Sequence, residues 1–394
     1  MPSFDEFISE SRIFKDRDVL SPHYIPDTLH FRDHQIRELM SSLAPALMGK
    51  KPRNTFIYGK TGTGKTCSVK QVSRKFDEKA EGKARIVYIN CRIHNKPYRV
   101  MLKVAKAVME GFDKQGYGLP HIYERLLEWA GTGKQVLIIL DEIDMVKNLD
   151  ELLYMITRAN DELEAGGFSV IGISNKLLFK EDLDPRSKSS LYEREMVFPP
   201  YTANQLQKIL HQRAELGFQP GSFTSGAINL AGAIAAQESG DARYALKILS
   251  RAAEMAEEAD KGKFTDAEVK AARELVELDI VREAIDKLPE NHQVVLYAVA
   301  RLSLSGSRYA RLDDGDDGYL FSGEIYEEYT SLCKKLRKPP KTARSYRSYL
   351  NDLEMLGLLT CVESGKGIRG HTKLIKLGHP PRELMKIVSK HLEE

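Results

Sequence analysis

Apolar positions follow two periods along the chain. Up to about residue 200, short unbroken apolar runs alternate with stretches in which apolar residues recur three and four apart. The runs at 55–58, 85–89, 136–140 and 169–173 are rich in Ile, Val, Phe and Tyr and have the length of buried strands; 136–140 is the most apolar and 169–173 the last clear one. Helical spacing marks 33–47 (Ile36, Leu39, Met40, Leu43), 65–76, 98–111 and 122–130. Such strands alternating with helices predict a mostly parallel sheet covered on both faces, an α/β core. Residues 1–30, punctuated by Pro22 and Pro26, read as an irregular lead-in.

Beyond Thr202 the strand signal stops. Helical patterns at 203–216, 224–238, 242–260 and 265–279 predict a small all-helical domain. The last part holds helical patterns at 281–288, 292–304, 323–336 and 342–356, then β-prone pieces at 359–362 and 374–377; helices followed by a hairpin are the pattern of a winged helix. The acidic, Gly-rich residues 311–318 interrupt it as a solvated insertion. The expected domains are thus 1–200, 201–279 and 280–394.

Composition agrees with this division. At 394 residues, 42% hydrophobic and 29% charged, the chain has the make-up of a soluble globular protein with two or three cores. Its longest apolar runs, 136–140 and 294–300, are far short of the roughly 20 residues a bilayer span needs. The first thirty residues are studded with charge and lack the apolar segment of a secretory signal, so a cytoplasmic protein is expected. Cys67, Cys91, Cys333 and Cys361 form no CxxC pair and read as reduced thiols. Net charge is only +3, yet 334–376 carries eleven Lys and Arg against Asp352, Glu354 and Glu363, a local +8. A basic C-terminal region on an otherwise mildly acidic chain points to a polyanion partner.

The chemistry begins after the first strand. Gly59-Lys-Thr-Gly-Thr-Gly-Lys65-Thr66 fits GxxxxGK[ST] between a strand and a helix. Glycines at 59, 62 and 64, with Thr61 and Thr63, let backbone N–H groups turn toward phosphates at a helix N-terminus; Lys65 neutralises the β and γ oxygens and the Thr66 hydroxyl ligates Mg²⁺. Asp141-Glu142 closes the most apolar strand, where Asp141 would hold Mg²⁺ and Glu142 would activate the attacking water. The cofactors expected are ATP or ADP and Mg²⁺.

With two further polar positions in order, the chain resembles the AAA+ ATPases, which implies a P-loop core with a parallel sheet, a helical lid domain and here a C-terminal winged-helix domain. Asn175 matches the first sensor of that family and Arg243, in Gly240-Asp-Ala-Arg243, the second. A trans-acting arginine finger is expected at Arg186, with Arg194 as the second choice. Asp27-Thr-Leu-His-Phe-Arg-Asp33, Asp141-Glu-Ile-Asp144, Val197-Phe-Pro-Pro-Tyr201 and His211-Gln-Arg213 look more narrowly like the archaeal origin-recognition initiators. That resemblance implies Tyr201 near adenine and ribose, Arg213 approaching the nucleotide, and a DNA contact by the insertion with Lys114 and Tyr117.

In the winged helix, Tyr346, Leu350 and Leu353 form the buried stripe, which leaves Arg344, Arg347 and Ser348 outward. Lys338, Lys341 and Thr342 precede them at the helix N-terminus, and Lys366, Arg369 and Lys373 supply a basic wing, so double-stranded DNA is the expected ligand. The function expected is ATP-regulated origin binding that promotes helicase loading with slow hydrolysis as a switch. The replicative helicase, a second copy or a paralogue are the partners, and no membrane is involved. A winged-helix signalling ATPase regulating transcription is the alternative; a clamp-loader-like subunit is disfavoured by the basic C-terminal domain.

Overall fold

Five parallel strands form the sheet of the first unit: β1 (Asn54–Tyr58), β2 (Ala84–Asn90), β3 (Gln135–Asp141), β4 (Gly167–Ser174) and β5 (Glu193–Val197), in the order β2-β3-β4-β1-β5. A computed structural model of the chain describes residues 11–112, 116–176, 179, 183–185, 187–188, 193–306, 319–363 and 373–392. Their contacts divide the chain into two units, Met1–Ala272 and Arg273–Glu394.

β3 is buried at every position because both sheet faces are covered. Val136, Ile138 and Leu140 pack with the helices Pro97–Val108, Leu119–Ala130 and Leu149–Ala159. Leu137 and Ile139 point the other way, into the helices Asp33–Leu47 and Lys65–Asp77, as the two-residue period of a strand requires. In the sheet and the helices that cover it, one helix and one strand have no counterpart in the expected pattern. The helix Leu149–Ala159 buries only Leu152, Leu153, Ile156 and Ala159. β5 holds three charges in five residues and lies at the sheet edge; Met196 meets the core, and the apolar signal of a central strand is missing.

The helical part of the first unit starts cleanly. Thr202, Thr224 and Asp241 each accept backbone N–H groups at the heads of the helices Ala203–Gly217, Ser225–Glu238 and Ala242–Glu258. The lead-in is better ordered than its sequence implies. Ile13, Phe14, Val19 and Leu20 are buried, Phe14 bridges Phe218, and Lys15 N–H donates to the Gly217 carbonyl at 2.9 Å. Residues 11–20 thus pack on the lid helices, while Asp27 accepts from Gln71 of the core through its carbonyl.

The expected helices 265–279 and 281–288 are one continuous helix, Asp266–Asp286, within which both the expected 279/280 boundary and the division between the units fall. No Gly or Pro interrupts Leu278-Asp-Ile-Val281, so nothing local stops the helix there. The second unit contains the helices Glu290–Ser305, Ser322–Lys335 and Ala343–Met355, and an antiparallel sheet of β6 (Leu320–Phe321), β8 (Lys373–Leu377) and β7 (Leu359–Glu363). An unexpected last helix, Pro381–Leu392, closes its core with Leu384, Ile387 and Val388. Among the described residues no helix is long and apolar enough to cross a membrane.

Candidate functional site

The strand order brings the ends of β3, β4 and β1 side by side, and each carries one part of the site. After β1, Gly62 and Gly64 have φ of 69° and 85°, left-handed values that let the loop turn into the head of the helix Lys65–Asp77. The Thr63 hydroxyl donates to the Lys60 carbonyl at 2.9 Å and stiffens the turn. Lys65 is buried and donates to the carbonyls of Gly59 and Lys60, both at 2.7 Å, and to Asn175 Oδ1 at 2.9 Å. Burial pulls the Lys65 ammonium down to about 8, against the opposing pull of the Asp141 carboxylate. Asn175 stands one residue beyond β4, so the Lys65 bond joins the ends of two adjacent strands.

At the end of β3, Asp141 Oδ2 accepts from the Thr66 hydroxyl at 2.9 Å and from the Tyr88 hydroxyl of β2. Burial and then that bond hold the Tyr88 proton firmly, raising its pKa. Glu142 follows with a left-handed φ of 56°, and its carboxylate pairs with Arg92. A 3-10 turn, Ile143–Met145, comes next and carries Asp144, whose carboxylate accepts from the Ser174 hydroxyl at 2.9 Å.

The lid closes the other side. Asp241 caps its helix by accepting from Arg243 N–H at 2.7 Å and Tyr244 N–H at 3.3 Å, and its carboxylate lies directly over Gly62. Ala242 N–H also donates to the Gly62 carbonyl at 3.2 Å. Arg243 lines the resulting cavity, of about 360 Å³, together with Lys65, Thr66, Asp141, Glu142, Asn175, Tyr201 and Arg213. Gly62, Thr61, Thr63 and Gly64 line it as well, while Gly59 anchors Lys65 from behind.

Tyr201 and Arg213 are both buried, and both are already occupied. The Tyr201 ring lies under the Arg32 guanidinium, 3.9 Å away. Arg32 in turn donates to the carbonyls of Thr63 and Pro199 at 2.9 and 2.7 Å, tying the phosphate loop to the start of the lid. Arg213 donates to the carbonyls of Val19 and Tyr24 at 2.8 and 3.2 Å and so grips the lead-in, whose Pro22, Tyr24, Thr28 and His30 form a wall of the cavity.

The cavity lies within the 300–1,000 Å³ range typical of small-ligand sites and combines cations, inward-turned loop backbone and two hard oxygen donors 2.9 Å apart on Thr66 and Asp141. Among the described residues no group of three or more His, Cys, Asp or Glu side chains gathers as a metal cage. The Thr66 and Asp141 oxygens suit Mg²⁺, which keeps several waters and takes one or two protein oxygens beside phosphate. The residues present fit a magnesium–nucleotide pair.

In the second unit Arg344, Arg347, Ser348 and Asn351 are exposed along the helix Ala343–Met355, while Tyr346, Leu350 and Leu353 are buried. Thr342 caps that helix, and Lys341 before it is exposed, its backbone held by the Tyr326 and Tyr329 hydroxyls at 3.0 and 3.2 Å. Lys373, at the start of β8, donates to Asn351 Oδ1 at 3.1 Å, which links wing and helix. Lys338 pairs with Glu290. Of the expected wing cations Lys366 and Arg369, the finger Arg186, Lys114 and the acidic residues 313–317, all lie outside the described residues. Arg194 is exposed on β5 and pairs with Glu38 at 3.0 Å; Tyr117 stacks on His121, ring centroids 4.3 Å apart.

Sequence reasoning gave no role to Arg32, Tyr88, Arg92, Asp144 or Asp241. Asp241 alone had a local signal, as a capping residue before a helix.

Three family models match the chain: an AAA domain over residues 48–177, a Cdc6 AAA+ ATPase-type lid domain over 207–274, and a CDC6 C-terminal winged helix domain over 283–387. The chain is 41% identical over 401 residues to an Archaeoglobus fulgidus protein named ORC1-type DNA replication protein 1, covering 100% of this chain and 94% of that one. It is 41% identical to the Pyrococcus abyssi ORC1-type DNA replication protein, covering 98% and 92%. Its fold superposes on the Aeropyrum pernix ORC1 protein, solved in complex with DNA, with TM-score 0.81 and 38% identity over 97% of this chain and 98% of that one.

Proposed function

The chain belongs to the ORC1-type DNA replication protein family, with an AAA+ ATPase domain, a lid and a C-terminal winged helix, and from that premise we propose that it is an ATP-regulated binder of replication origins in the cytoplasm. The observation that carries the reading is the meeting of the β3, β4 and β1 ends with the lid: Asp141 on Thr66, Asn175 on Lys65, Asp241 on Gly62. Nucleotide entering there touches core and lid together, so its state is felt by both.

ATP, when bound, supplies the phosphoanhydride bond and Mg²⁺ the charge that offsets its oxygens. Lys65 would exchange loop carbonyls for anionic oxygens, and Thr66 and Asp141 would hold the metal. Glu142, paired here with Arg92, orients the attacking water and takes its proton; Asn175 fixes that water from the neighbouring strand end. Arg243 reaches the γ-phosphate from the lid, and Tyr201 and Arg213 border the base and ribose side. Hydrolysis is slow until a neighbouring copy or paralogue supplies Arg186, or, as second choice, Arg194.

On the winged helix, Arg344 and Arg347 of the recognition helix and Lys341 just before it, with Lys366, Arg369 and Lys373 of the wing, contact double-stranded DNA; the A. pernix relative solved with DNA supports this. The domains of this reading are the core 1–200, the lid 201–279 and the winged helix 280–394, and its outcome is recruitment of the replicative helicase. Footprinting on genomic fragments with and without ATP tests it. Discrete protected sites whose occupancy depends on ATP in the parent protein and not in Lys65→Ala are expected; protection confined to promoters would favour a transcription regulator.

A further inference from the structure

We infer that Asp144 is a positioning residue for hydrolysis, acting through Ser174 on Asn175; the inference rests on the ATPase reading above. Glu142 and Asn175 handle the same water from two different strand ends, so their spacing must be fixed, yet among the described residues no hydrogen bond joins their side chains. Asp144 spans that gap. It lies two residues after Glu142, in the turn Ile143–Met145, with its side chain 8% exposed, and its Oδ1 accepts from the Ser174 hydroxyl at 2.9 Å. Ser174 is buried, immediately precedes Asn175, and its oxygen accepts from Lys176 N–H at 3.0 Å, so the turn that presents Asn175 is held from both sides. A continuous path runs from the Glu142 turn through Asp144 and Ser174 to Asn175 and on to Lys65.

The bond and not the charge does the holding. Lys176 Nζ is 3.8 Å from Asp144 Oδ2, and the Lys176 side chain is 63% exposed, so that ion pair is weak. The Ser174–Asp144 bond is shielded from water, and a buried acceptor keeps its donor at a fixed place. Asparagine at 144 retains an oxygen for Ser174; alanine does not.

The test is single-turnover hydrolysis and ATP affinity for Asp144→Ala, Ser174→Ala, the double variant, Asp144→Asn and Asn175→Ala, each checked by thermal melting. Because a small misplacement of a reacting group is costly, Asp144→Ala and Ser174→Ala should each slow hydrolysis about tenfold or more with ATP affinity changed less than about twofold. The double variant should be no slower than the worse single one, and Asp144→Asn should recover to within about threefold of the parent. Parental rates in Asp144→Ala with a slow Asn175→Ala would overturn this inference alone. Asp144→Asn as slow as Asp144→Ala, or rate and ATP affinity lost in step, would also overturn it. A parental rate in Asn175→Ala would remove the ATPase reading of that residue and this inference with it.

Discussion

Lys65 is buried and makes three hydrogen bonds, whereas Arg344 and Arg347 stand exposed on the helix Ala343–Met355. The first arrangement costs desolvation before any ligand arrives, visible in the lowered Lys65 pKa, and on the function proposed above it holds a cation ready for one small anion. The second keeps its water, and on the same reading counterions around it are released only when a long polyanion displaces them. The two regions should therefore fail in different ways, one by geometry and the other by charge.

The largest effects belong to the preorganised region. Lys65→Ala should abolish tight nucleotide binding, while Glu142→Gln should bind ATP as the parent does and hydrolyse it at least about 10³-fold more slowly. Equilibrium binding of a fluorescent ATP analogue and phosphate release separate the two; parental hydrolysis in Glu142→Gln would remove that residue from the water's surroundings.

Next comes the diffuse region. Arg344→Ala with Arg347→Ala should weaken DNA binding and lower the slope of log affinity against log salt by about 2, since each phosphate contact contributes about 0.9. ATP affinity should stay as it was. An unchanged slope would mean that this face binds something other than a phosphate backbone.

A smaller geometric effect is expected at Gly62. A Cβ there would lie 1.6 Å from Asp241 Oδ1, on a backbone with φ of 69°. Gly62→Ala must move the carboxylate that caps the lid helix, and losing such a cap and adopting a left-handed conformation cost about 1 kcal/mol each, so ATP affinity should fall by about tenfold to thirtyfold. Because the cap is by then already lost, adding Asp241→Ala should lower ATP affinity little further, which a titration of the double variant would show.

The smallest effect is on pH. The Lys65 ammonium has a folded pKa of about 8, below the ordinary 10.5, and phosphate favours its charged form. Below pH 8 the charge is already present and ATP affinity should be flat; above it, binding must take up a proton and affinity should fall, by no more than about tenfold per pH unit. Calorimetry at pH 9 in buffers of different ionisation enthalpy should register that proton.

The same contrast explains what could be seen in the sequence. The phosphate loop and Asp141-Glu142 stood out because such chemistry fixes residue type and spacing within a few positions of one strand end. Arg32, Arg92 and Asp144 did not, because each acts through a contact made across the fold, with Thr63, Glu142 and Ser174, and a lone Arg or Asp carries no local trace of its partner. The central strands were legible from unbroken apolar runs, and β5 was not, since this edge strand carries three charges and only two apolar residues, Met196 buried and Val197 exposed. The long helix Asp266–Asp286 read as two because its buried positions break step: Val269, Ala272 and Val276 recur three and four apart, and Val281 follows only after five.

The lead-in sets a limit on travel. The lid holds it at Val19 and Tyr24 through Arg213 and at Thr28 through Gln212, while Asp27 between them is held by Gln71 of the core. From Tyr24 to Asp27 is a span of three residues, about 10 Å at roughly 3.5 Å per residue when extended. The lid is therefore on a short leash: to draw further from the core it must first let go of Tyr24 and Thr28, two residues that wall the cavity.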